Sequence, residues 1–202
     1  MLVGVRARWH GVEQACASPR RRFALGVLLL VLILSIDRWL FTGTHTLVAT
    51  GIADETAHLS TMVIFLLAFP VFRNAGFVVG CLAGSVLIDL DHVPLYLGSN
   101  LMTEETNRPF THGFLTVGIV LVMSLVAREP WRSIGFGLIA GLAAHFLRDM
   151  ATSTAGVPLL WPLEATGFLL PYPLYATALV GALGWILISS LASGETQQGP
   201  GQ

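Results

Sequence analysis

The chain has 202 residues, of which 54% are hydrophobic and only 11% are charged, and its formal net charge is −1. A soluble domain carries about a quarter charged residues, so this deficit indicates that lipid surrounds much of the folded chain. No basic patch with interleaved aromatic residues occurs, which argues against a nucleic-acid partner. We therefore expect an all-α fold, a polytopic membrane bundle of about six spans.

The apolar segments predict a cytoplasmic basic tail over residues 1–22, a membrane helical bundle over 23–193 and a disordered tail over 194–202. The first apolar segment follows Arg20-Arg21-Arg22, as in a signal sequence. Asp37-Arg38-Trp39 stands where a cleavage site of small residues would be, so we expect an uncleaved anchor and a local ion pair between Asp37 and Arg38. The predicted spans are Phe23–Phe41, His58–Phe72, Ala75–Ile88, His112–Ala127, Ser133–Phe146 and Phe168–Leu191.

Several of these segments have about 14–16 residues, fewer than the roughly 20 that cross a hydrocarbon core. They can still cross where polar ends lie below the headgroups or where the bilayer thins locally. The arginines set the orientation, because cytoplasmic loops are enriched in them. With the N-terminus in the cytoplasm, eight arginines fall inside, and Arg38, Arg108 and Arg148 fall outside. We expect both termini to be cytoplasmic.

Histidine and aspartate residues collect at one end of the predicted spans. On this topology four consecutive helices bring them to the outer face. They are Asp54, His58, Asp89, Asp91, His92, His112, His145 and Asp149. Ionisable groups near lipid are costly and are usually functional, so the set indicates a metal or catalytic site. Taken singly, each residue also fits a helix cap, an interface charge or a hydrogen bond between helices.

The spacing within this set favours metal binding. His145 and Asp149 are four residues apart, and so are Asp54 and His58, which places each pair on one face of a helix. Asp89-Leu90-Asp91-His92 adds three donors where a span ends. Imidazole and carboxylate together favour zinc, manganese or iron over calcium. The number of donors is larger than one divalent ion requires. Two ions can therefore bind, with a carboxylate that bridges them.

These motifs, in this order, resemble the YdjM-like family of bacterial inner-membrane proteins. The likeness covers about residues 50–165 and rests on three motifs and a short apolar end: Asp89-Leu90-Asp91-His92, Phe110-Thr111-His112-Gly113, His145-x-x-x-Asp149, and then Thr152, Gly156 and Leu160-Trp161-Pro162. That family is classed as metal-dependent hydrolases, and its core is similar to zinc-dependent phospholipase C. The resemblance implies an anion contact at Arg108 and the metal ligands His58, Asp91, His92, His112, His145 and Asp149.

From the residues and the resemblance we expect a membrane-bound hydrolase that cleaves a phosphoester or related ester bond, with a membrane lipid as one candidate substrate. Metal-activated water would attack, and Asp54 or Asp89 would accept the proton. Arg108 and Arg148 would neutralise charge on the phosphoryl oxygens. Thr111 and Thr152 are further candidates for substrate contacts.

Two other function classes would use the same residues. A metal or ion transporter needs ligands through the depth of the bilayer, whereas the predicted ligands lie at one face. A non-catalytic scaffold would keep the His and Asp residues as a structural element. The sequence has no His-Glu-x-x-His, which argues against an intramembrane zinc protease, and no Gly-x-Ser-x-Gly, which argues against a serine hydrolase.

Overall fold

The structure, a computed structural model, describes residues 18–69, 74–103, 106 and 108–195. Helices form almost all of the regular structure of these residues, and the β-type pairing found among them is an isolated bridge between Val157 and Phe168. The predicted all-α fold is therefore confirmed. In chain order the helices are α1 (Pro19–Thr42), α2 (Leu47–Ala68), α3 (Ala75–Gly84), a 3-10 helix (Leu87–His92), α4 (Val93–Tyr96), α5 (Phe114–Val126), α6 (Trp131–Thr152) and α7 (Tyr172–Glu195).

Five segments of the described residues are long and apolar enough to cross a membrane. They are α1, α2, the segment Ala75–Tyr96, α6 and the part of α7 up to Ser189. The apolar helix α5 has 13 residues, so at ~1.5 Å per residue it measures about 20 Å, less than a hydrocarbon core of about 30 Å. The helical membrane bundle predicted from the sequence thus has five long segments and a short one.

Helices α2 and α6 extend beyond the predicted spans by several residues. Helix α2 begins at Leu47 and so places His58 in its middle, where the sequence indicated a span that starts at His58. Helix α6 continues past Phe146 to Thr152. The added turns carry ionisable residues, which hydropathy assigns to loops. In the folded chain these side chains face other helices, so the helices continue through them.

Both predicted tails fall partly on helices. Helix α1 already begins at Pro19, so the last residues of the segment predicted as a tail over 1–22 form its first turn. Helix α7 continues to Glu195, past the predicted end of the bundle at 193. The remainder of the two predicted tails, residues 1–17 and 196–202, lies outside the described residues.

Helices α3 and α6 pack backbone against backbone through glycines. A Cβ atom at Gly80 would lie 2.1 Å from the carbonyl oxygen of Ile134, and one at Gly137 would lie 2.1 Å from that of Phe77. Small residues allow this approach in a bilayer, where helix association depends on close packing. The contact continues to Gly141 and aligns the end of α3 with the part of α6 that carries the predicted ligands.

Candidate metal centre

The predicted ligands meet at one place, between α2, α6, the 3-10 helix and the turn before α5. Of the histidines, His58, His112 and His145 are at most 1% exposed, and Asp149 is equally buried. Four overlapping groups of donors have ligand atoms within 4.8 Å of one another. The elements contribute as follows: Asp54 and His58 from α2, Asp89, Asp91 and His92 from the 3-10 helix, His112 from the turn, and His145 and Asp149 from α6.

The ring of His145 is oriented by the end of α3. Its Nδ1 lies 3.0 Å from the carbonyl oxygen of Ser85, which can only accept a hydrogen bond, so Nδ1 carries the proton. Nε2, which can bind a metal ion when the ring is neutral, lies close to two carboxylates, Asp149 Oδ2 at 3.1 Å and Asp89 Oδ1 at 3.5 Å. A histidine whose other nitrogen donates to a backbone carbonyl is the usual arrangement of a metal ligand.

His112 faces the same two carboxylates. Its Nε2 lies 3.1 Å from Asp89 Oδ1 and 3.6 Å from Asp149 Oδ2. The four nitrogen–oxygen distances at this point therefore run from 3.1 to 3.6 Å. Two ligands of a tetrahedral zinc ion with bonds of ~2.0 Å stand about 3.3 Å apart. The spacing of these donors fits a small divalent transition-metal ion.

The second nitrogen of His112 is held by a carboxylate. Nδ1 lies 3.1 Å from Asp91 Oδ2, and the hydroxyl of Thr111 donates to the same oxygen. His92 Nδ1 lies 3.0 Å from the other oxygen of Asp91. Thr111, expected from the sequence to contact substrate, is thus engaged in orienting Asp91, and Asp91 in orienting His112.

His58 and Asp149 extend the centre towards α2. Nε2 of His58 lies 3.3 Å from Asp149 Oδ1 and 3.9 Å from Asp54 Oδ2, so Asp149 directs one oxygen to each half of the centre. The His58 ring stacks on His145 with 3.8 Å between ring centroids. Neither ring nitrogen of His58 has a hydrogen-bond partner within the part of the chain that the structure describes. Buried nitrogens without a partner are costly, and a metal ion would satisfy Nε2.

Negative side chains outnumber the arginines around this centre. Arg108 pairs with Asp149, and Arg148 pairs with Asp37 and Asp54. Glu55, Asp89 and Asp91 have no arginine partner in the ion pairs of the described residues. Buried carboxylates are costly unless cations offset them. Protons on the histidines or metal ions must therefore supply positive charge here.

Glu55 belongs to this centre, although the sequence analysis did not select it. Its carboxylate faces Asp89, and its buried Oε2 has no hydrogen-bond partner among the described residues. Its spacing of three residues from His58 is a sequence signal of the same kind as the spacing of four residues between Asp54 and His58.

A polar cavity of about 220 Å³ opens beside the buried centre. It reaches the centre because several side chains belong to both. The lining residues are Leu47, Thr50, Gly51, Asp54, Glu55, Asp89, His92, Tyr96 and Arg108. Asp54 and Asp89 are 33% and 18% exposed, whereas the ligands deeper inside are fully covered. A small polar molecule can therefore reach the centre from this side.

Arg148 does not reach this cavity. Its side chain is fully buried, and Nη2 lies 2.8 Å from Asp37 Oδ1 and 3.1 Å from Asp54 Oδ1. The hydroxyl of Tyr172 donates to the other oxygen of Asp37 at 2.7 Å. This placement corrects two expectations, the substrate contact by Arg148 and the local pair between Asp37 and Arg38. The physical reason is that a buried charge is costly unless it is paired, and the partners of Asp37 and Arg148 lie on other helices.

Thr152 is not among the residues that line this cavity, and its hydroxyl donates to the carbonyl oxygen of Arg148 one turn earlier in α6. The loop that follows α6 instead supports the turn that carries His112. Leu159 O accepts a hydrogen bond from Phe114 N at 2.9 Å, and the Trp161 ring stacks on Phe110 with 4.5 Å between ring centroids. The end of the family motif, Leu160-Trp161-Pro162, therefore helps to fix the position of His112.

The chain matches the family model described as YdjM inner membrane protein over residues 41–199. That match spans most of the chain and includes every side chain of the centre. No curated protein matches the chain, and no solved structure does so. The likeness to zinc-dependent phospholipase C expected from the sequence therefore stays a prediction.

Proposed function

The chain belongs to the YdjM inner membrane protein family, and we propose that it is a membrane-bound, metal-dependent hydrolase of a phosphoester or related ester bond. One observation carries the proposal. Nε2 of His145 faces the carboxylates of Asp89 and Asp149, and this carboxylate-rich point adjoins a cavity lined by Arg108. A site with these two features suits a metal ion and an anionic substrate.

In this proposal His112, His145, Asp89 and Asp149 hold one divalent ion. His58 and Asp54, with the second oxygen of Asp149, offer donors to a second ion, and Asp91 and His92 complete the surrounding donor set. Zinc suits these donors, and manganese or iron are the alternatives. A bound ion would supply Lewis acidity, which activates water and neutralises charge on a phosphoryl oxygen.

Three carboxylates line the cavity and can accept the proton of the attacking water: Asp54, Glu55 and Asp89. Asp54 is paired with Arg148, which stabilises its charge, and Asp89 contacts three histidines. Among the described residues Glu55 has no ion pair with an arginine or a histidine, and its Oε2 has no hydrogen-bond partner. It is therefore the carboxylate with the most freedom to accept a proton, and we add it to the two that the sequence suggested.

Arg108 is the cation that a substrate would meet. Its side chain is 17% exposed, lines the cavity and donates to Asp149. A guanidinium group offers several N–H donors in the geometry that suits phosphate oxygens. In the proposed reaction Arg108 holds these oxygens and offsets the charge that develops on them.

The experiment that tests the proposal is elemental mass spectrometry of the purified protein in detergent. The wild type is compared with His145→Ala and His112→Ala, and with His45→Ala as the control outside the centre. We expect about one or two equivalents of transition metal, lost in both centre variants and kept in the control. A metal-free wild type beside normally folded variants would overturn the proposal and favour a scaffold.

A metal transporter is the second candidate, because His58 lies in the middle of α2 rather than at its outer end. One protein preparation is sufficient to distinguish the two activities. Protein that binds metal is assayed in detergent against soluble phosphoesters and in proteoliposomes for metal flux. Hydrolysis without flux supports the hydrolase, and flux without hydrolysis supports the transporter.

We also propose that both termini are cytoplasmic and that the centre opens at the outer face. The distribution of arginines supports this orientation. Ser99→Cys, near the cavity, and Arg128→Cys, at the opposite end of α5, test it with a membrane-impermeant thiol reagent on a Cys16→Ser, Cys81→Ser background. Labelling at residue 99 alone in spheroplasts is the expected result. Labelling at residue 128 alone would show that the orientation is the opposite one.

A further inference from the structure

The polar cavity beside the centre differs in chemistry between its deep part and its entrance. The side chains of Asp89, His92 and Arg108 line it and are 18%, 16% and 17% exposed. Leu47 and Tyr96 also line it, and they are 55% and 53% exposed. Because exposure is greatest at these two residues, they form the mouth of the cavity. Its deep part is therefore charged, and its mouth is aliphatic and aromatic.

One face of helix α2 forms a wall of this cavity. The lining positions of α2 are spaced so that they share one side of the helix, and they are Leu47, Thr50, Gly51, Asp54 and Glu55. A Cβ atom at Gly51 would have nothing within 4 Å. The glycine therefore leaves free space in this wall, one turn from the mouth at Leu47 and one turn from the carboxylate of Glu55.

The 3-10 helix and α4 contribute the aromatic side of the mouth. The Tyr96 ring stacks on the His92 ring, with 6.2 Å between the ring centroids and 27° between the ring planes. His92 is in turn held by Asp91, whose Oδ1 lies 3.0 Å from Nδ1. The orientation of the tyrosine at the mouth is thus linked to the donors of the centre.

The volume of the cavity limits the substrate that it can enclose. At about 220 Å³ it is smaller than the roughly 300–1,000 Å³ of sites that enclose a drug-sized ligand. In the proposed reaction the phosphoryl group occupies the deep part, beside Arg108. A few atoms of the alcohol part then fill the remaining space, and they reach Leu47 and Tyr96.

We propose that Leu47 and Tyr96 determine the substrate specificity, and that the substrate is a phosphoester with a compact, partly apolar alcohol part. The inference rests on the proposed function for the phosphoester chemistry and adds the class of the alcohol. An aromatic or branched aliphatic group at the mouth buries apolar surface against Leu47 and packs on the ring of Tyr96. The charged part of the cavity orients the phosphoryl group, and the mouth selects the alcohol.

The test measures binding, so it does not depend on turnover. Phenylphosphonate and methylphosphonate carry the same anionic group on a C–P bond that resists hydrolysis, and they differ in the group that reaches the mouth. Isothermal titration calorimetry in detergent gives the Kd of each, for zinc-loaded and for metal-free protein. The variants are Leu47→Ala, Tyr96→Ala, Tyr96→Phe and Gly51→Leu. Gly118→Leu on α5 is the control, because a Cβ atom there also has nothing within 4 Å.

We expect the wild type to bind phenylphosphonate about 3–10-fold more tightly than methylphosphonate, the effect of one added aromatic contact. Leu47→Ala and Tyr96→Ala reduce this ratio and keep the affinity for methylphosphonate, whereas Tyr96→Phe keeps the ratio. Gly51→Leu fills the cavity and weakens the binding of both probes, and Gly118→Leu weakens neither. Equal affinities in the wild type, or a ratio that Tyr96→Ala leaves unchanged, would overturn the proposal.

A lipid phosphoester is distinguished in the same titration. Dihexanoylphosphatidic acid is added below its micelle concentration, and tighter binding than that of phenylphosphonate would overturn the compact alcohol part. The hydrolase is judged separately, from the turnover of phenyl phosphate. Selective binding without turnover would keep the specificity of the mouth and remove the hydrolase. Turnover without the preference for phenylphosphonate would keep the hydrolase and remove the role of Leu47 and Tyr96.

Discussion

Nη2 of Arg148 lies 2.8 Å from Oδ1 of Asp37, inside the bundle and with both side chains almost fully buried. The contact ties α1 to the helix that carries His145 and Asp149. Arg148 also reaches Asp54, so one guanidinium group connects the first helix, α2 and the edge of the candidate metal centre. The pair explains why a hydrophobic anchor helix contains an aspartate.

We predict that Arg148→Met destabilises the protein by about 3–5 kcal/mol, because it leaves two carboxylates without their cation inside the bundle. The free energy of unfolding in mixed detergent micelles measures the change. Arg38→Gln is the matched control, since Arg38 is adjacent to Asp37 in sequence but exposed. An equal loss in Arg38→Gln would mean that the local pair, and not the pair with Arg148, stabilises α1.

We predict that Gly137→Ala destabilises the bundle by about 1–3 kcal/mol, since its Cβ would stand 2.1 Å from Phe77 O and must push α3 away from α6. Because the same contact sets Ser85 against His145, metal affinity falls as well. Gly118→Ala on α5 is the control, with nothing within 4 Å of its Cβ. Unfolding free energy and metal content are measured for both, and equal stability of the two variants would refute the backbone contact.

We predict that Thr111→Val weakens metal binding by about 10–100-fold, the usual effect of losing a group that orients a ligand. The hydroxyl of Thr111 donates to Asp91, which in turn holds His112. Competition with a chromophoric chelator measures the affinity. Thr152→Val removes a hydroxyl that donates within its own helix, and it should leave the affinity unchanged. A matching loss in Thr152→Val would show that Thr152 also supports the centre.

We predict that Arg108→Gln lowers kcat/KM for a phosphoester by about 10²–10³-fold, because a donor to the developing charge is removed. Bound metal should stay at the wild-type level, since Arg108 is not among the donors. Arg128→Gln at the exposed turn after α5 is the control and should keep full activity. Loss of metal in Arg108→Gln would assign Arg108 to the support of Asp149 instead.

We predict that Glu55→Gln lowers kcat by about 10²–10⁴-fold with metal retained, the range expected for loss of a general base. Asp54→Asn should have the smaller effect on kcat, because Asp54 is already paired with Arg148. Steady-state hydrolysis and metal content are measured on both variants. The reverse order of effects would assign proton transfer to Asp54, and metal loss in Glu55→Gln would make Glu55 a ligand.

The composition and motifs of the chain were sufficient for the class of the fold and for most members of the centre. A charge content of 11% indicated lipid, and the apolar runs located the helices. The His and Asp residues were found because ionisable groups stand out in such a chain and because spacings of four residues place two donors on one helical face. These signals are local in the sequence, so they can be identified without knowledge of the fold.

The partners of those residues were decided by the tertiary structure. Hydropathy ended α6 at Phe146, whereas the helix continues because Arg148 meets Asp37 from α1 and Asp149 meets histidines from other elements. The tautomer of His145 depends on the carbonyl of Ser85, and the position of Ser85 depends on glycines that admit α3 to α6. Each is a contact between segments far apart in sequence. Such a contact stabilises the protein only when helix packing has removed water from both partners.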